Sequence, residues 1–504
     1  MPSINRRSFL RRTSLFAAAT ALPMGCSDGD DKLERTAIVI GSGFAGSVAA
    51  LRLGLAGIPT VVLERGRQWT VTGPDTFPTT TNFDERSSWT IPTAANAAAG
   101  QRGYAGLLEN IAGDNVTAVC GACVGGGSLV YGGVLIQPQR DVFESVFPYL
   151  SYDEMDAVYY PRVIREIGAS PIPDDVLASA TYQAHRQFLE DAGALGFEQL
   201  RPNTSFDWDI IRQEIAGEIP AAASVSEYAF GCNSDAKLST DKNYLKNAVA
   251  TGVVEVRSLT EVEIIRERPG GGYAVVCRNI TEQGELLQRY ELEADYLFLA
   301  AGSMNTSRLL LKSQDAGELR GGNDRVGAGW GTNGDQLLAQ SHPGLQPGPQ
   351  GGPACVAAVD RTDASYPVTF MHSPVAFGVQ LQLAMSVPDD LGRLRYDPAS
   401  DGLLIDWAAD TGTPSEQARV ASFQRLVAQN GGFEVPFISG SIWHPLGGAP
   451  MDDACDTLGQ LYGYRNLFVV DGSLLPGSAA AANPALTIAA NTERIMDVLI
   501  PGLA

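Results

Sequence analysis

Residues 36–66 read TAIVIGSGFAGSVAALRLGLAGIPTVVLERG, and this stretch decides the fold. The apolar runs Ala37–Ile40 and Thr60–Leu63 have the length and composition of buried parallel strands. Between them, a glycine-rich turn opens an alanine- and leucine-rich helix that is predicted to continue through about Ala56. A strand, a glycine turn, a helix and a second strand in this order predict an α/β fold of the Rossmann-like type.

The same stretch predicts a dinucleotide site. Gly41 allows the tight turn, Gly43 lets the backbone approach a pyrophosphate, and Gly46 lets the helix pack closely on the strand. The pyrophosphate would then lie at the helix N-terminus, where unpaired N–H groups favour an anion. Glu64 follows Gly41 by 23 positions and can accept hydrogen bonds from ribose hydroxyls. FAD and NAD share this fingerprint, which occurs once in the sequence, so we expect one permanently held dinucleotide.

Two further glycine clusters differ in character. Residues 269–272 (PGGG) separate two alternating runs, 262–265 and 273–277, and predict a hairpin turn. Residues 124–133 (VGGGSLVYGG) hold five glycines without strand alternation, which favours backbone packed against a flat ligand or a phosphate. A purely structural crossing of chain segments is the alternative for this second cluster.

Composition excludes several classes of protein. The 504 residues carry 36 Lys and Arg against 57 Asp and Glu, a net charge of -21, which argues against nucleic-acid binding. With 44% hydrophobic and 18% charged residues, the chain can bury a large core and is not disordered. Seven cysteines in a chain of this length do not form a disulfide framework. Cys120 and Cys123 are spaced as a CxxC motif, but no second cysteine or histidine pair accompanies them, so apolar packing is favoured over a redox or metal role, and no metal site is predicted.

The first 32 residues predict a targeting segment. Arg6 and Arg7 precede an apolar run from Ser14 to Met24, a pattern that resembles a twin-arginine export signal. The run is too short to span a bilayer, which needs about 20 apolar residues. We therefore expect export to a periplasmic or secreted location, and lipid attachment at Cys26 is left open.

Six blocks elsewhere resemble the glucose-methanol-choline (GMC) family of FAD oxidoreductases, and within it the bacterial cholesterol oxidase branch. They appear in family order and are 124–133, 230–245 (FGCNSDAKLSTDKNYL), 295–310 (DYLFLAAGSMNTSRLL), 326–335 (VGAGWGTNGD), 443–448 (WHPLGG) and 469–495 (beginning VVDGSLLPGS). The resemblance implies a FAD-binding Rossmann-like domain with a discontinuous α+β substrate domain built on a β-sheet. The FAD domain would comprise 33–140, 228–313 and 458–504, and the substrate domain 141–227 and 314–457.

The resemblance also implies the cofactor contacts. FAD would be held non-covalently by the first glycine turn and by residues from later blocks: Gly41, Gly43, Phe44, Ala45, Gly46, Glu64, Gly127, Tyr131, Gly132, Val134, Val262, Gly472 and Ala485. Tyr131 stands where the cholesterol oxidases have Asn, and Val134 stands where they have Met. Because both positions adjoin the flavin in the family, the redox potential or oxygen access is expected to differ.

His444 and Asn483 are the candidate catalytic residues. Pro445 fixes the backbone after His444, and Pro484 places Asn483 at the start of the last helix. Alcohol oxidation needs a group that takes the hydroxyl proton, such as an imidazole, and a donor for the developing oxyanion, such as a carboxamide. The residues alone leave open a buried His and a capping Asn, whereas the family blocks around both imply catalysis. Of the other histidines, His185 and His342 are expected at the surface.

One family residue is missing. Bacterial cholesterol oxidases carry a Glu that isomerises the 5-ene-3-one product, and alignment through residues 366–378 places Met371 at that position. Methionine cannot act as a base, and the neighbouring His372 would face the other side of a strand. The expected reaction is therefore oxidation of a sterol 3-hydroxyl to the ketone, with electrons passed to oxygen and little or no isomerisation.

Two other functions remain open. A dehydrogenase of the same fold would oxidise a non-sterol alcohol and reduce a quinone or cytochrome, and a flavin-bearing sterol carrier would catalyse nothing. The presence of both His444 and Asn483 argues against the carrier. Besides lipid attachment at Cys26, the sequence leaves open a peripheral contact with a membrane, from which a sterol could be extracted.

Overall fold

The structure is a computed structural model that describes residues 36–80, 82–90, 103–345, 350–374, 379–436 and 440–503. The predicted export signal in residues 1–32, with Cys26, lies outside the described residues. Within the described part of the chain, no helix is both long and apolar enough to cross a membrane.

A five-stranded parallel sheet forms the centre of the nucleotide fold. The predicted strands are found as β1 (Ala37–Ile40) and β2 (Thr60–Leu63), and the helix between them, α1, spans Phe44–Leu55. The sheet order is β10 (Val254–Arg257), β2, β1, β14 (Tyr296–Leu299) and β23 (Leu467–Val469), so the two neighbours of β1 are β2 and β14. All four residues of β1 and of β14 are buried, as expected for strands covered on both faces.

Helices cover one face of this sheet. α1 packs against the helix Tyr244–Ala250 and the last helix, Pro484–Leu503. A buried ion pair connects them, because Arg52 Nε donates to Glu493 Oε2 at 2.6 Å and the Tyr244 hydroxyl donates to Glu493 Oε1 at 2.9 Å. Arg162 also pairs with Glu493, at 3.2 Å, so the buried carboxylate has two cationic partners, and removing either arginine would leave it partly paired.

A second large sheet has six antiparallel strands. Their order is β21 (Glu434–Val435), β15 (Gln336–Ser341), β18 (Val379–Met385), β17 (Val368–Pro374), β16 (Ala357–Asp360) and β8 (Glu198–Leu200). Alternate residues of its strands point to opposite faces. One face carries Leu337, Met371 and Leu383 towards a cavity, and the other packs against the helices Gln183–Ala194 and Pro414–Asn430. The predicted hairpin at 269–272 is confirmed, since it joins the antiparallel strands β11 and β12.

The remaining bounds complete the element order. The strands are β3 (Trp89–Thr90), β4 (Tyr104–Ala105), β5 (Leu108–Ala112), β6 (Thr117–Gly121), β7 (Val134–Leu135), β8 (Glu198–Leu200), β9 (Asn203–Thr204), β10 (Val254–Arg257), β11 (Thr260–Glu267), β12 (Tyr273–Ile280), β13 (Leu286–Ala294), β15 (Gln336–Ser341), β16 (Ala357–Asp360), β17 (Val368–Pro374), β18 (Val379–Met385), β19 (Arg393–Asp397), β20 (Gly402–Asp406), β21 (Glu434–Val435), β22 (Ser441–Ile442) and β23 (Leu467–Val469). The helices after α1 are α2 (Gly127–Val130), α3 (Arg140–Val146), α4 (Tyr152–Glu154), α5 (Tyr160–Ile167), α6 (Asp174–Ala178), α7 (Gln183–Ala194), α8 (Trp208–Ala216), α9 (Tyr244–Ala250), α10 (Gly302–Asp315), α11 (Pro414–Asn430) and α12 (Pro484–Leu503), with a π-helical turn at Met155–Tyr159 and short 3₁₀ turns at Glu85–Ser87, Ala180–Tyr182, Ala223–Val225 and Gly472–Leu474.

The predicted α/β fold class is confirmed by these layers. The nucleotide sheet collects its strands from four separated parts of the chain, and the six-stranded sheet collects its strands from 198–200 and 336–435. The domain boundaries drawn from the sequence stay a prediction.

Candidate active site

A cavity of about 500 Å³ lies between the glycine turns of the nucleotide fold and the six-stranded sheet. It brings together residues that are up to several hundred positions apart in the sequence. Of the predicted site residues, the following line it: Gly41, Gly43, Phe44, Ala45, Glu64, Gly127, Tyr131, Gly132, Val134, Val262, His444, Gly472, Asn483 and Ala485. Gly46 does not line the cavity wall and has a packing role instead.

The packing role of Gly46 follows from its neighbours. A Cβ atom on Gly46 would lie 2.0 Å from the carbonyl oxygen of Gly41, so only glycine lets α1 start this close to β1. Gly41 itself has a φ of +99° and faces the backbone of Ala300. The two residues shape the turn that places the start of α1 at the cavity.

The observed turn fits a bound dinucleotide. No side chain caps the N-terminus of α1 at Gly43, so the first N–H groups of the helix have no side-chain acceptor. A Cβ on Gly127 would meet nothing within 4 Å, which leaves open space beside the second glycine segment, residues 124–133. Glu64 is buried, and its carboxylate accepts hydrogen bonds from the Ser42 N–H and hydroxyl and from the Gly66 N–H. Backbone donors and a fixed carboxylate are the groups that a dinucleotide phosphate and ribose require.

The second glycine segment is fixed from behind by Lys237. This side chain is 1% exposed, and Nζ donates to the carbonyls of Leu129 at 2.9 Å and Tyr131 at 2.8 Å, with the Tyr228 carbonyl as a third acceptor. Burial lowers the pKa of Lys237 to about 7. Tyr131, the residue expected beside the flavin, packs edge-on against Phe44, and burial raises the pKa of its phenol.

His444 is held by a buried carboxylate. Its Nδ1 lies 2.9 Å from Asp335 Oδ1, and its backbone N–H donates to Asp335 Oδ2 at 3.1 Å. The Asp335 side chain is only 2% exposed. The carboxylate contacts Nδ1, so the other ring nitrogen, Nε2, is the one that faces Asn483 in the cavity.

Asn483 stands opposite His444, directly before the first residue of α12. Its Nδ2 lies 3.5 Å from His444 Nε2 and donates to the sulfur of Met371 at 3.4 Å. Among the described residues its Oδ1 has no partner, although Asn483 is only 4% exposed. A buried carboxamide oxygen without a partner is costly unless a ligand satisfies it, so the arrangement suits a hydroxyl bound between the two side chains.

The cavity wall opposite this pair comes from the six-stranded sheet. Met371 on β17 faces the cavity, while His372 points to the other face, as predicted, and stacks on Phe188 of α7. Neither ring nitrogen of His372 has a partner in the described part of the chain, and burial lowers its pKa well below the usual value. His372 is therefore unable to replace the missing glutamate in the cavity.

The expected surface location of His185 and His342 is wrong. His185 is fully buried on α7, with Nε2 3.2 Å from the Pro353 carbonyl, and burial lowers its pKa to about 3. His342 is 8% exposed and lies 3.1 Å from Asp191. Polar neighbours in the sequence suggested exposure, but α7 packs on a sheet face that is itself polar, with Gln380 and Gln382 on β18.

Neither a cysteine-based nor a metal-based second site is found among the described residues. Cys123 is buried and its thiol donates to the Gly126 carbonyl, while burial raises the pKa of Cys120 to about 12. Both thiols are free. Over the described residues, no group of three or more His, Cys, Asp or Glu side chains is arranged to hold a metal ion.

Two buried residues of the site, Asp335 and Lys237, were not singled out from the sequence. Both lie within the quoted family blocks, 326–335 and 230–245, but a block of sequence does not show which residue touches which. Asp335 is 109 positions from His444, and Lys237 is 106 positions from Tyr131. The sequence signal that could have identified both residues was a charged side chain inside a glycine-rich, apolar block.

Comparison with known proteins gives a family match over most of the chain. The family model described as GMC oxidoreductase matches residues 35–318 with its N-terminal part and residues 427–492 with its C-terminal part. A cholesterol oxidase of Mycobacterium tuberculosis is 26% identical over 542 aligned positions, covering 91% of this chain and 89% of that protein. A cholesterol oxidase of Acinetobacter baumannii is 24% identical and covers 92% of this chain and 94% of that protein.

Two solved structures share the fold. The crystal structure of pyridoxine 4-oxidase from Mesorbium loti aligns with a TM-score of 0.64 at 16% identity, covering 92% of this chain and 99% of that one. A fungal aryl-alcohol oxidase aligns with a TM-score of 0.62 at 14% identity, covering 93% and 99%.

Proposed function

The chain belongs to the GMC oxidoreductase family, and on that premise we propose that it oxidises the 3-hydroxyl of a sterol to a ketone and passes the electrons to oxygen. The observation that carries this proposal is the pair formed by His444 and Asn483. Their side chains meet at 3.5 Å in a cavity that also contains the glycine turns. A proton acceptor and a hydrogen-bond donor thus converge where a dinucleotide and an alcohol can meet.

The two side chains divide the chemistry. His444 Nε2 accepts the proton as the substrate O–H bond breaks, and the carbon–oxygen double bond forms as the carbon loses its hydrogen with both electrons. Asn483 Nδ2 donates to the substrate oxygen while negative charge develops on it. The unpaired Oδ1 of Asn483 is available to orient the substrate hydroxyl before transfer.

FAD is the cofactor that we propose, bound non-covalently. When bound, it supplies the acceptor for the hydride. The start of α1 and Glu64 would hold its phosphates and ribose, and Gly127, where a Cβ would meet nothing within 4 Å, leaves room for its rings. Tyr131 and Val134 line the same region.

The cavity wall supports a bulky apolar alcohol. Leu337, Leu381 and Leu383 line it beside Met371, and burying a large hydrocarbon body against them is favourable. The Mycobacterium tuberculosis and Acinetobacter baumannii relatives, which align over most of the chain, are named cholesterol oxidases. Sterol is therefore the substrate class that we propose.

The test is anaerobic. Purified protein should show an oxidised flavin spectrum, and adding cholesterol without oxygen should bleach the flavin band. Peroxide formation on readmitting air would support the oxidase. A yellow protein that cholesterol does not bleach would overturn the sterol assignment, and a colourless protein would overturn the cofactor.

We also propose that the product is not efficiently isomerised. Met371 offers a thioether where proton transfer from C4 to C6 needs a base, and the sheet residues that line the described cavity beside it, Leu337, Ser373 and Leu383, carry no carboxylate. Product analysis after cholesterol turnover should show the 5-ene-3-one accumulating. Rapid formation of the conjugated 4-ene-3-one would contradict this proposal.

A non-sterol alcohol is the second candidate, favoured by one polar contact in the wall. The Tyr228 hydroxyl lies 2.8 Å from Ser373 Oγ, and both residues line the cavity. A smaller alcohol with a second hydrogen-bonding group would use this pair, and a quinone or cytochrome would take the electrons. Bleaching by such an alcohol, together with dye reduction faster than peroxide formation, would favour this dehydrogenase over the sterol oxidase.

Export by the twin-arginine route remains part of the proposal. It rests on Arg6, Arg7 and the apolar run that follows them. Replacing both arginines with lysine should retain the protein in the cytoplasm, and unchanged export would contradict the route.

A further inference from the structure

The loop Gly331–Asp335 contacts both candidate catalytic segments. At one end, Gly331 exchanges backbone hydrogen bonds with Leu446, two residues after His444. In the middle, the Asn333 side chain donates to the Ala482 carbonyl at 3.0 Å and accepts from the Ala479 N–H at 2.8 Å. These bonds tie the loop to the residues that immediately precede Asn483.

Asp335, the last residue of the same loop, forms hydrogen bonds with His444. Its two oxygens take three donors from one short segment: the Nδ1–H and backbone N–H of His444 and, at 3.3 Å, the backbone N–H of Trp443. The side chain is almost completely shielded from water. A carboxylate with so many fixed donors has one orientation, and it imposes that orientation on the ring.

We infer that Asp335 is a positioning residue for proton transfer: it fixes His444 as the Nδ1–H tautomer and stabilises the positive charge that the ring gains when Nε2 accepts the substrate proton. This inference rests on the proposed role of His444 as the proton acceptor. In the step itself, the substrate O–H bond breaks, the new N–H bond forms at Nε2, and the Nδ1 proton stays between His444 and Asp335. An opposite charge within hydrogen-bond distance favours the protonated imidazole.

The other groups that face His444 do not compete for this role. Asn483 and Met371, from α12 and β17, are uncharged. The carboxylate of Asp471 also lines the cavity, but it accepts from the Gly302 N–H and from the hydroxyls of Thr306 and Ser473. Among the described residues, Asp335 is the one ion-pair partner of the His444 ring.

The first test needs no substrate. The chain has four histidines, so ¹⁵N labelling of histidine in the holoenzyme gives few signals, and His444→Gln identifies the one that belongs to His444. We expect the neutral wild-type ring to carry its proton on Nδ1. A signal with the proton on Nε2 would overturn the inference even if every Asp335 variant failed to fold.

The second test removes the charge. Asp335→Asn keeps the shape but has one acceptor oxygen; with that oxygen on the two backbone N–H groups, its amide donates to Nδ1, and we expect the neutral His444 ring to carry its proton on Nε2. Asp335→Glu, which keeps the charge, should restore the Nδ1–H form. Asp390→Asn is the matched control, because it makes the same change on an exposed side chain. The same Nδ1–H signal in the wild type and Asp335→Asn would overturn the inference.

The kinetic arm uses cholesterol as the probe. For Asp335→Asn, the acid limb of the pH profile of kcat/KM should move about 1 unit lower, and the plateau should fall about tenfold or more, since the base is weaker. An unmoved acid limb with a lower plateau would indicate a purely structural role and would overturn the inference. If cholesterol does not react with the wild type, the sterol proposal fails, while the ¹⁵N signals of the His444 tautomer still decide the role of Asp335.

Discussion

The side chains at the site differ in how many of their hydrogen-bond donors and acceptors have a partner. Both oxygens of Asp335 are occupied, whereas Asn483 keeps Oδ1 free and makes only long contacts through Nδ2. A fully bonded residue stabilises a geometry, and a buried residue with an unused acceptor is prepared for a ligand. The contrast separates the residue that positions from the residue that binds.

Replacing the two cavity residues should slow the reaction and leave the cofactor bound. For His444→Gln we expect the rate of anaerobic flavin reduction to fall by about 10²–10⁴-fold, because the proton acceptor is lost. For Asn483→Ala we expect a fall of about 10²–10³-fold, because one oxyanion donor is lost. Stopped-flow absorbance with the substrate that bleaches the wild type measures both rates.

The control for Asn483→Ala is Asn247→Ala, which makes the same truncation on the exposed face of α9. It should reduce flavin at the wild-type rate. Wild-type rates in both cavity variants, with normal flavin content, would contradict the proposed division of roles.

Among the secondary-structure elements, the sequence predicts best those that are determined by residues close together in the chain. β1, β2 and the hairpin after β11 lie where they were expected, since strand patterns and turn glycines act over a few positions. The burial of His185 was missed because it depends on the polar face of a sheet built from distant strands. The partnership of Asp335 with His444 was missed for the same reason: contact across 109 positions leaves no local pattern.

Gly46 offers a test of the predicted turn. In Gly46→Ala the new Cβ would overlap the Gly41 carbonyl, so α1 must move away from β1. We expect the free energy of unfolding to fall by about 1–3 kcal/mol and much of the flavin to be lost on purification. Thermal melts and the ratio of flavin to protein absorbance measure the two effects.

Gly73→Ala serves as the comparison, because a Cβ at Gly73 would meet nothing within 4 Å. It should retain wild-type flavin content and melting temperature. Full flavin content in Gly46→Ala would show that the turn tolerates a methyl group and would contradict the packing role.

On the scale of the whole molecule, the buried histidines link stability to pH. Burial lowers the folded-state pKa of His185 to about 3 and that of His372 well below its ordinary value of 6.5. The unfolded chain therefore binds more protons below about pH 6.5, and the folded state loses stability as the pH falls from there. Above that pH both states are neutral at these sites and the loss disappears.

His372→Phe should reduce this acid sensitivity. Phenylalanine keeps a flat ring against Phe188 and removes two ring nitrogens that lack partners, so the free energy of unfolding at pH 7 should rise by about 1 kcal/mol or more. Between pH 6.5 and pH 5 the advantage over the wild type should widen by about 2 kcal/mol. Denaturant unfolding at several pH values measures it, and parallel curves for the two proteins would contradict the assignment.

The order of the parallel sheet has a consequence for biosynthesis. β1 is made first, yet its neighbour β14 and the edge strand β23 come from the middle and the end of the chain. The 432 positions between Ile40 and Gly472 take about 20–90 s to translate at ordinary ribosome speeds. The nascent chain must therefore carry an unfinished nucleotide sheet for most of its synthesis, and the lining of the cavity is complete only once Asn483 and the first turn of α12 have been made.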